Sequence, residues 1–172
     1  MIVYQNYHRH TQHTNPLVPD SVATNEQYAL RAKELGHSIL SSCEHGYQGR
    51  YIECYNLAKK YGLKFVQVAE AYWVKHRDPA LADGTNCHII IAALNETGRK
   101  QMNKILSEAN RSGFYRRARL DLELLLSFDP DNVIITSACI AGWRYDDAEE
   151  IMLTLFEHFG NHFYLEVQAH DT

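Results

Sequence analysis

The sequence has few cysteines, and it lacks long apolar runs and an excess of basic residues. Its four cysteines show no CxxC spacing, so we expect core thiols or single metal ligands rather than a disulfide framework. No apolar run approaches the length of a membrane span. The net charge of -4 argues against a basic coat, so any phosphate binding must be local. The first residues lack the basic-then-apolar pattern of a signal peptide, and we expect a cytosolic protein with no membrane partner.

The 172 residues are enough for one ordinary domain with a hydrophobic core. Periodicity and turn residues predict strands at 2–10, 37–43, 64–74, from Cys87 onward, 133–140 and 162–168. Helix caps and apolar spacing predict helices between Thr24 and Gly36 and at 50–61, 96–112, 121–127 and 146–159. This alternation predicts an α/β domain with a parallel sheet, either open or rolled into a barrel.

The pair His8 and His10, separated by Arg9, is the most informative motif among the 10 histidines. In a strand, alternate side chains project from one face, so both imidazoles could reach one metal ion or a metal pair. Histidine is the commonest neutral metal ligand. The pair alone is a weak signal, because two histidines near an N-terminus are more often incidental than liganding.

Other metal-capable side chains fall at predicted strand ends, and in a parallel α/β domain such ends share one face. The residues at or near these ends are His10, His45, Glu70 and Cys139. Asp20 lies in the first loop of this kind. His88 instead begins its predicted strand, so it would reach the same rim only if the strand boundary is displaced or the barrel is twisted.

The order of the motifs HRHT, a loop Asp, CEHG, VAEAYWV, CHIIIAALN and TSACIAG resembles the polymerase and histidinol phosphatase (PHP) domain. The form it resembles is found at the N-terminus of the bacterial DNA polymerase III alpha subunit. The similarity extends to segments without ligands, such as AKELG, AKKYGLK, LSEANRSGFYRRARLDLELL and HFGNHFYLEVQAH. It therefore covers essentially the whole chain.

The resemblance implies a distorted seven-stranded α/β barrel with up to three divalent metal ions. The implied ligands are His8, His10, Asp20, His45, Glu70, His88 and Cys139. Imidazole and thiolate donors favour zinc, with manganese, iron or magnesium as alternatives. The family has two further ligands, an Asp and a His in a late DxH motif, which this chain does not reach. We therefore expect residues 1–172 to be a PHP domain without its last helix and strand, either a fragment, or completed by another polypeptide, or degenerate.

Two further features bear on chemistry. Glu44 stands where the family usually has Asp, so its role is open, and it is a candidate catalytic group. Arg116, Arg117 and Arg119 lie beside Phe114 and Tyr115, a combination suited to binding phosphate and stacking on DNA bases. Several of the candidate site residues also have a simpler interpretation. The arginines could form a solvated face, His45 and His88 could be core histidines, and Cys139 could be an ordinary buried thiol.

The resemblance implies a metal-dependent phosphoesterase that acts as a 3′–5′ exonuclease beside a replicative polymerase. Its partners would be single-stranded DNA or a 3′ end, and the remainder of a polymerase III alpha chain in cis or in trans. The alternatives are a structural module that braces the polymerase without turnover, and a small-molecule phosphatase of the histidinol-phosphatase type. The acidic triad of polymerases is absent, so we expect no polymerase activity from this chain alone.

Overall fold

A computed structural model describes residues 4–14 and 20–168. The chain forms two compact units, which we call the first unit (Met1–Ala69) and the second unit (Glu70–Thr172). Together the described residues contain a mixed α/β fold with six strands and five α-helices. This confirms the predicted α/β class. Within the described residues, no helix combines the length and the apolar character needed to cross a membrane.

The first unit contains helix α1 (Asn25–Glu34), strand β1 (Ile39–His45), helix α2 (Tyr51–Tyr61) and the start of strand β2 (Lys64–Trp73). Helix α1 begins with the predicted capping box, in which the side chains of Thr24 and Gln27 each accept a backbone hydrogen bond from the other residue. Helix α2 ends at Gly62, whose φ of 69° places it in the left-handed region. Both helices pack on β1 through a cluster of buried residues, which are Ala29, Leu40, Cys54 and Ala58.

The predicted first strand is wrong for residues 4–10, which have no regular structure, and its residues 2–3 lie outside the described residues. Side chains rather than a backbone ladder join this segment to β1. The Gln5 Oε1 atom accepts hydrogen bonds from the backbone of Ser38 and Ile39, and the buried Arg9 guanidinium donates to the Ser41 carbonyl. The alternation of residue types in this segment therefore occurs without strand pairing.

The second unit contains the end of β2, followed by strand β3 (Cys87–Ala93), helix α3 (Glu96–Ser112) and strand β4 (Arg119–Leu120). After these come helix α4 (Leu122–Leu126), strand β5 (Val133–Thr136), helix α5 (Ala148–Phe159) and strand β6 (Phe163–Tyr164). The strands follow the order β2-β3-β5-β6, and β4 pairs with β2. Helix α3 matches its predicted bounds, with Asn95 as its N-cap.

Two predictions about the second unit are corrected. The sheet is not purely parallel, because β3 runs antiparallel to β5, whereas β4 is parallel to β2 and β6 to β5. Strand β5 also ends at Thr136 rather than residue 140. The chain turns there, with a φ of 54° at Ala138 and a single 3-10 turn over Ile140–Gly142. Cys139 therefore lies in the loop that follows β5.

Candidate functional site

Three metal-capable side chains of the first unit lie together. One ligand atom from each of His10, Asp20 and His45 lies within 4.8 Å of the other two. The His45 Nε2 atom is 2.6 Å from an Asp20 carboxylate oxygen, and the rings of His10 and His45 stack with their centroids 4.2 Å apart. The ring of His8 meets that of His10 edge to face at 5.3 Å. Two imidazoles and a carboxylate are suitable donors for a divalent ion, so these residues fit one.

Buried hydrogen bonds fix the loop that carries His10. The carboxylate of Glu44, the next-to-last residue of β1, accepts hydrogen bonds from the backbone N–H and the hydroxyl of Thr11. Both side chains are buried. These contacts hold Thr11, the residue next to His10, against the end of β1, so Glu44 positions this loop. A catalytic role for Glu44 stays a prediction.

Thr14 connects two of the candidate ligands. Its hydroxyl oxygen accepts a hydrogen bond from the backbone N–H of His45 at 3.3 Å and lies 3.3 Å from the Nδ1 atom of His10. A hydrogen bond at one ring nitrogen of a histidine orients the other nitrogen for metal binding. Thr14 thus orients the His10 ring relative to the last residue of β1.

A second set of metal-capable side chains lies in the second unit. The His88 Nδ1 atom is 2.9 Å from the Glu70 Oε1 atom and 3.4 Å from the Cys139 Sγ atom. Glu70 belongs to β2 and is buried. Burial lowers the pKa of His88, but the hydrogen bonds and charges of Cys139 and Glu70 outweigh it and raise that pKa to about 9. An imidazole, a carboxylate and a thiol form a donor set suited to zinc.

The antiparallel direction of β3 explains how His88 joins this set. Ile90 pairs with Thr136, so the beginning of β3 lies beside the loop that follows the end of β5. His88 is the second residue of β3, and Cys139 lies in that loop. In a parallel sheet these two residues would stand at opposite edges. The placement of His88 beside Cys139 therefore requires neither a displaced strand boundary nor a twisted barrel.

A family model described as the PHP domain matches residues 6–170. The chain belongs to the PHP domain family. This confirms the resemblance that the motifs suggested.

Relatives of this PHP domain include DNA polymerase III subunit alpha of Borreliella burgdorferi, which is 33% identical over 92% of this chain and 15% of the relative. The Aquifex aeolicus protein of the same name is 28% identical over 95% of this chain and 15% of its own length. The corresponding Helicobacter pylori protein, from strain 26695, is 28% identical over 97% of this chain and 15% of its own length. The chain therefore spans about 15% of the length of these relatives.

The PHP domain does not expose all three of its predicted phosphate-binding arginines. Arg119 is fully buried, and its guanidinium donates to the backbone carbonyls of Gly113, Asp83 and Arg77. Those contacts join three segments of the second unit. Each of its three guanidinium nitrogens donates to a carbonyl inside the protein, so the burial of Arg119 argues against the predicted phosphate contact.

The other two arginines remain accessible. Arg116 is exposed and its guanidinium carbon lies 5.3 Å from the centroid of the Tyr115 ring. Arg117 is half-buried, stacks over the ring of Tyr72 at 4.5 Å, and donates a hydrogen bond to the Tyr72 hydroxyl. The same ring meets the His88 ring edge to face at 5.1 Å. Tyr72 therefore places Arg117 next to the ligand set of the second unit.

Three positioning residues, Thr11, Thr14 and Tyr72, are not apparent from sequence patterns. The threonine hydroxyls contact Glu44 and His45, which lie 33 and 31 positions away in the chain, and no periodicity encodes such contacts. Tyr72 lies in a predicted strand, where an aromatic side chain is typical of the core. For Thr11 and Tyr72 the signal in the sequence is the motif that contains each of them, HRHT and VAEAYWV. Thr14 lies in neither motif.

The contact between Thr11 and Glu44 yields a stability prediction. Thr11→Val keeps the side-chain shape but removes one donor from a buried carboxylate, so the free energy of unfolding should fall by about 1–3 kcal/mol in chemical denaturation. Thr154→Val is the matched control, because that hydroxyl donates to the Glu150 carbonyl on an exposed helix turn, and it should change the value by less than about 0.5 kcal/mol. Equal losses in the two variants would contradict the positioning role.

The pKa of His88 yields a pH prediction for the chelator-treated protein. A folded pKa of about 9 lies above the ordinary value near 6.5, so the stabilisation from charged His88 should be complete below pH 6.5 and be lost as pH rises through 9. Glu70→Gln removes one cause and should lower the midpoint of the His88 ring signal in an NMR titration. A midpoint that stays unchanged in Glu70→Gln would show that the carboxylate does not charge the ring.

Proposed function

We propose that this PHP domain is a metal-dependent phosphoesterase module of a replicative DNA polymerase of the polymerase III alpha type. The observation that carries the proposal is the meeting of His10, Asp20 and His45, with ligand atoms within 4.8 Å of one another. The substrate would be the phosphodiester bond at the 3′ end of a single DNA strand, cleaved as in a 3′–5′ exonuclease. The relatives, which are DNA polymerase III alpha subunits, support the link to a replicative polymerase.

The proposed ligands fall into two sets, one in each unit. In the first unit they are His8, His10, Asp20 and His45, and in the second unit they are Glu70, His88 and Cys139. We propose that these sets bind up to three divalent ions. Imidazole and thiolate donors favour zinc, while manganese, iron and magnesium are the alternatives. Bound ions would supply a hydroxide at neutral pH and positive charge for the phosphate oxygens.

The remaining residues have supporting roles in this proposal. Glu44 and Thr14 hold His10 and His45 in place through the hydrogen bonds described above. Arg116 and Arg117 are the groups that would contact DNA phosphates, since they retain exposure and positive charge. The partner of the domain would be the remainder of a polymerase III alpha chain, joined in cis or bound in trans.

A second candidate function is a brace without turnover. The observation that favours it is that the chain corresponds to about 15% of the length of its relatives, which is compatible with a structural module in a large enzyme. Both functions use the same fold, so fold alone does not separate them. Measurements of bound metal and of DNA hydrolysis separate the two functions.

The test compares bound metal and hydrolysis of 5′-labelled single-stranded DNA in the wild type, His10→Ala and His13→Ala. His10→Ala removes a proposed ligand, so hydrolysis should fall by about 100-fold or more and bound metal should decrease. His13→Ala is the matched control, because His13 lies three residues away and outside the set of ligand atoms that meet, and it should retain both properties.

Chelation should abolish hydrolysis in the wild type, and zinc or manganese should restore it. Full metal binding by the wild type, with no hydrolysis by it or by either variant, would overturn the proposed enzymatic activity and favour the brace. Hydrolysis that is equal in the wild type and His10→Ala would overturn the assignment of the site.

A further inference from the structure

The proposed ligand Cys139 lies in a turn that follows β5, which we call the Cys139 turn (residues 137–143). Two hydrogen bonds close this turn. The Gly142 N–H donates to the Cys139 carbonyl at 2.8 Å, and the indole N–H of Trp143 donates to the Ser137 carbonyl at 2.7 Å. These bonds fix the shape of the turn, whereas its position relative to β3 depends on contacts with other elements of the second unit.

Gly142 allows the Cys139 turn to pack directly on the backbone of β3. A Cβ atom at this position would lie 2.6 Å from the carbonyl oxygen of His88 and 2.8 Å from that of Ser137. Even close contacts between a carbon atom and a carbonyl oxygen are about 3.3 Å long, so no other residue fits here unless the turn moves. His88 is also the residue whose Nδ1 atom lies 3.4 Å from the Cys139 Sγ atom. A displacement of the turn at Gly142 would therefore change the separation of these two donor atoms.

The indole of Trp73 holds Gly142 from the side of β2. Trp73 is the last residue of β2 and is only 1% exposed. Its Nε1 atom donates a buried hydrogen bond of 3.0 Å to the Gly142 carbonyl, and its ring packs against that of Trp143 with the centroids 5.3 Å apart. A buried carbonyl is costly to leave without a donor, so this bond opposes movement of the turn away from the sheet. Gly142 is thus held by the backbone of β3 and by a side chain of β2.

We propose that Gly142 and Trp73 are positioning residues that set the distance between the donor atoms of Cys139 and His88. Metal–ligand distances in proteins lie within about 0.2 Å of their standard values, so a displaced Cys139 turn would weaken or break the bond between sulfur and metal. Neither side chain offers a metal-binding atom itself. The inference rests on the proposed function for the ligand role of Cys139, but the position of its sulfur can be measured without metal.

The first test measures the contact between Cys139 and His88 in the metal-free full chain by NMR. The wild type should show a nuclear Overhauser effect between the Cys139 Hβ protons and the His88 ring. Gly142→Ala should lose this signal, because the added Cβ displaces the turn from the His88 carbonyl. Gly84→Ala is the matched control, since no atom lies within 4 Å of a Cβ at Gly84, and it should retain the signal.

The second test follows the binding of cobalt(II) by absorbance. A thiolate bound to cobalt gives a charge-transfer band, and loss of the band in Cys139→Ser assigns it to this sulfur. Trp73→Phe keeps an aromatic ring but removes the N–H donor, so the affinity for the cobalt ion that gives the band should fall by about 10–100-fold. Gly142→Ala should show at least the same loss. Ile105→Val removes a buried methyl group from helix α3 and controls for a general loss of stability, so it should bind cobalt like the wild type.

The outcomes of the two tests separate this inference from the proposed function. A contact signal that is absent from the wild type, or that persists in Gly142→Ala as in Gly84→Ala, overturns the inference, as does an equal cobalt affinity in Trp73→Phe and Ile105→Val. If Gly142→Ala does not fold, Trp73→Phe decides, because it should weaken both the contact and the cobalt affinity. A wild type without the cobalt band, together with a contact that Gly142→Ala loses, would support the positioning of the sulfur and overturn its role as a metal ligand.

Discussion

The position of His10 depends on side-chain contacts to β1, above all on the buried hydrogen bonds that Thr11 donates to the carboxylate of Glu44. A buried carboxylate is costly unless it is hydrogen-bonded, so the loop cannot move away from β1 without leaving that charge unsatisfied. The loop makes no strand ladder that could hold it by other means. A polar contact therefore substitutes for secondary structure in this part of the first unit, and it brings His10 next to His45.

In the second unit the corresponding constraint is the direction of a strand. Because β3 runs antiparallel to β5, His88 at its beginning meets Cys139 in the loop after β5. The neighbouring strands β2 and β3 position Glu70 and His88, and the loop after β5 brings Cys139 to His88. The buried Glu70 completes the set and, together with Cys139, keeps the metal-free imidazole charged at neutral pH.

Local signals in the sequence predicted local structure well. The capping box at Thr24 and the caps of helix α3 involve residues within a few positions, and both helices begin as expected. Non-local contacts were not predictable in this way. The missed strand β4 has only two residues and exists through its pairing with β2. The burial of Arg119 depends on carbonyls of distant segments, and an arginine run alone is typical of a solvated face. Strand direction leaves no trace in periodicity, so the placement of His88 required the structure.

The central proposal is that each unit presents a set of side chains that binds divalent metal. The most direct measurement is anomalous X-ray scattering at the zinc edge from crystals of the full chain grown with zinc. The account predicts peaks about 2.0–2.3 Å from nitrogen atoms of His10 and His45 in the first unit, and from the ring of His88 and the sulfur of Cys139 in the second unit. Peaks found only at other histidines, or no peaks at saturating zinc, would contradict it.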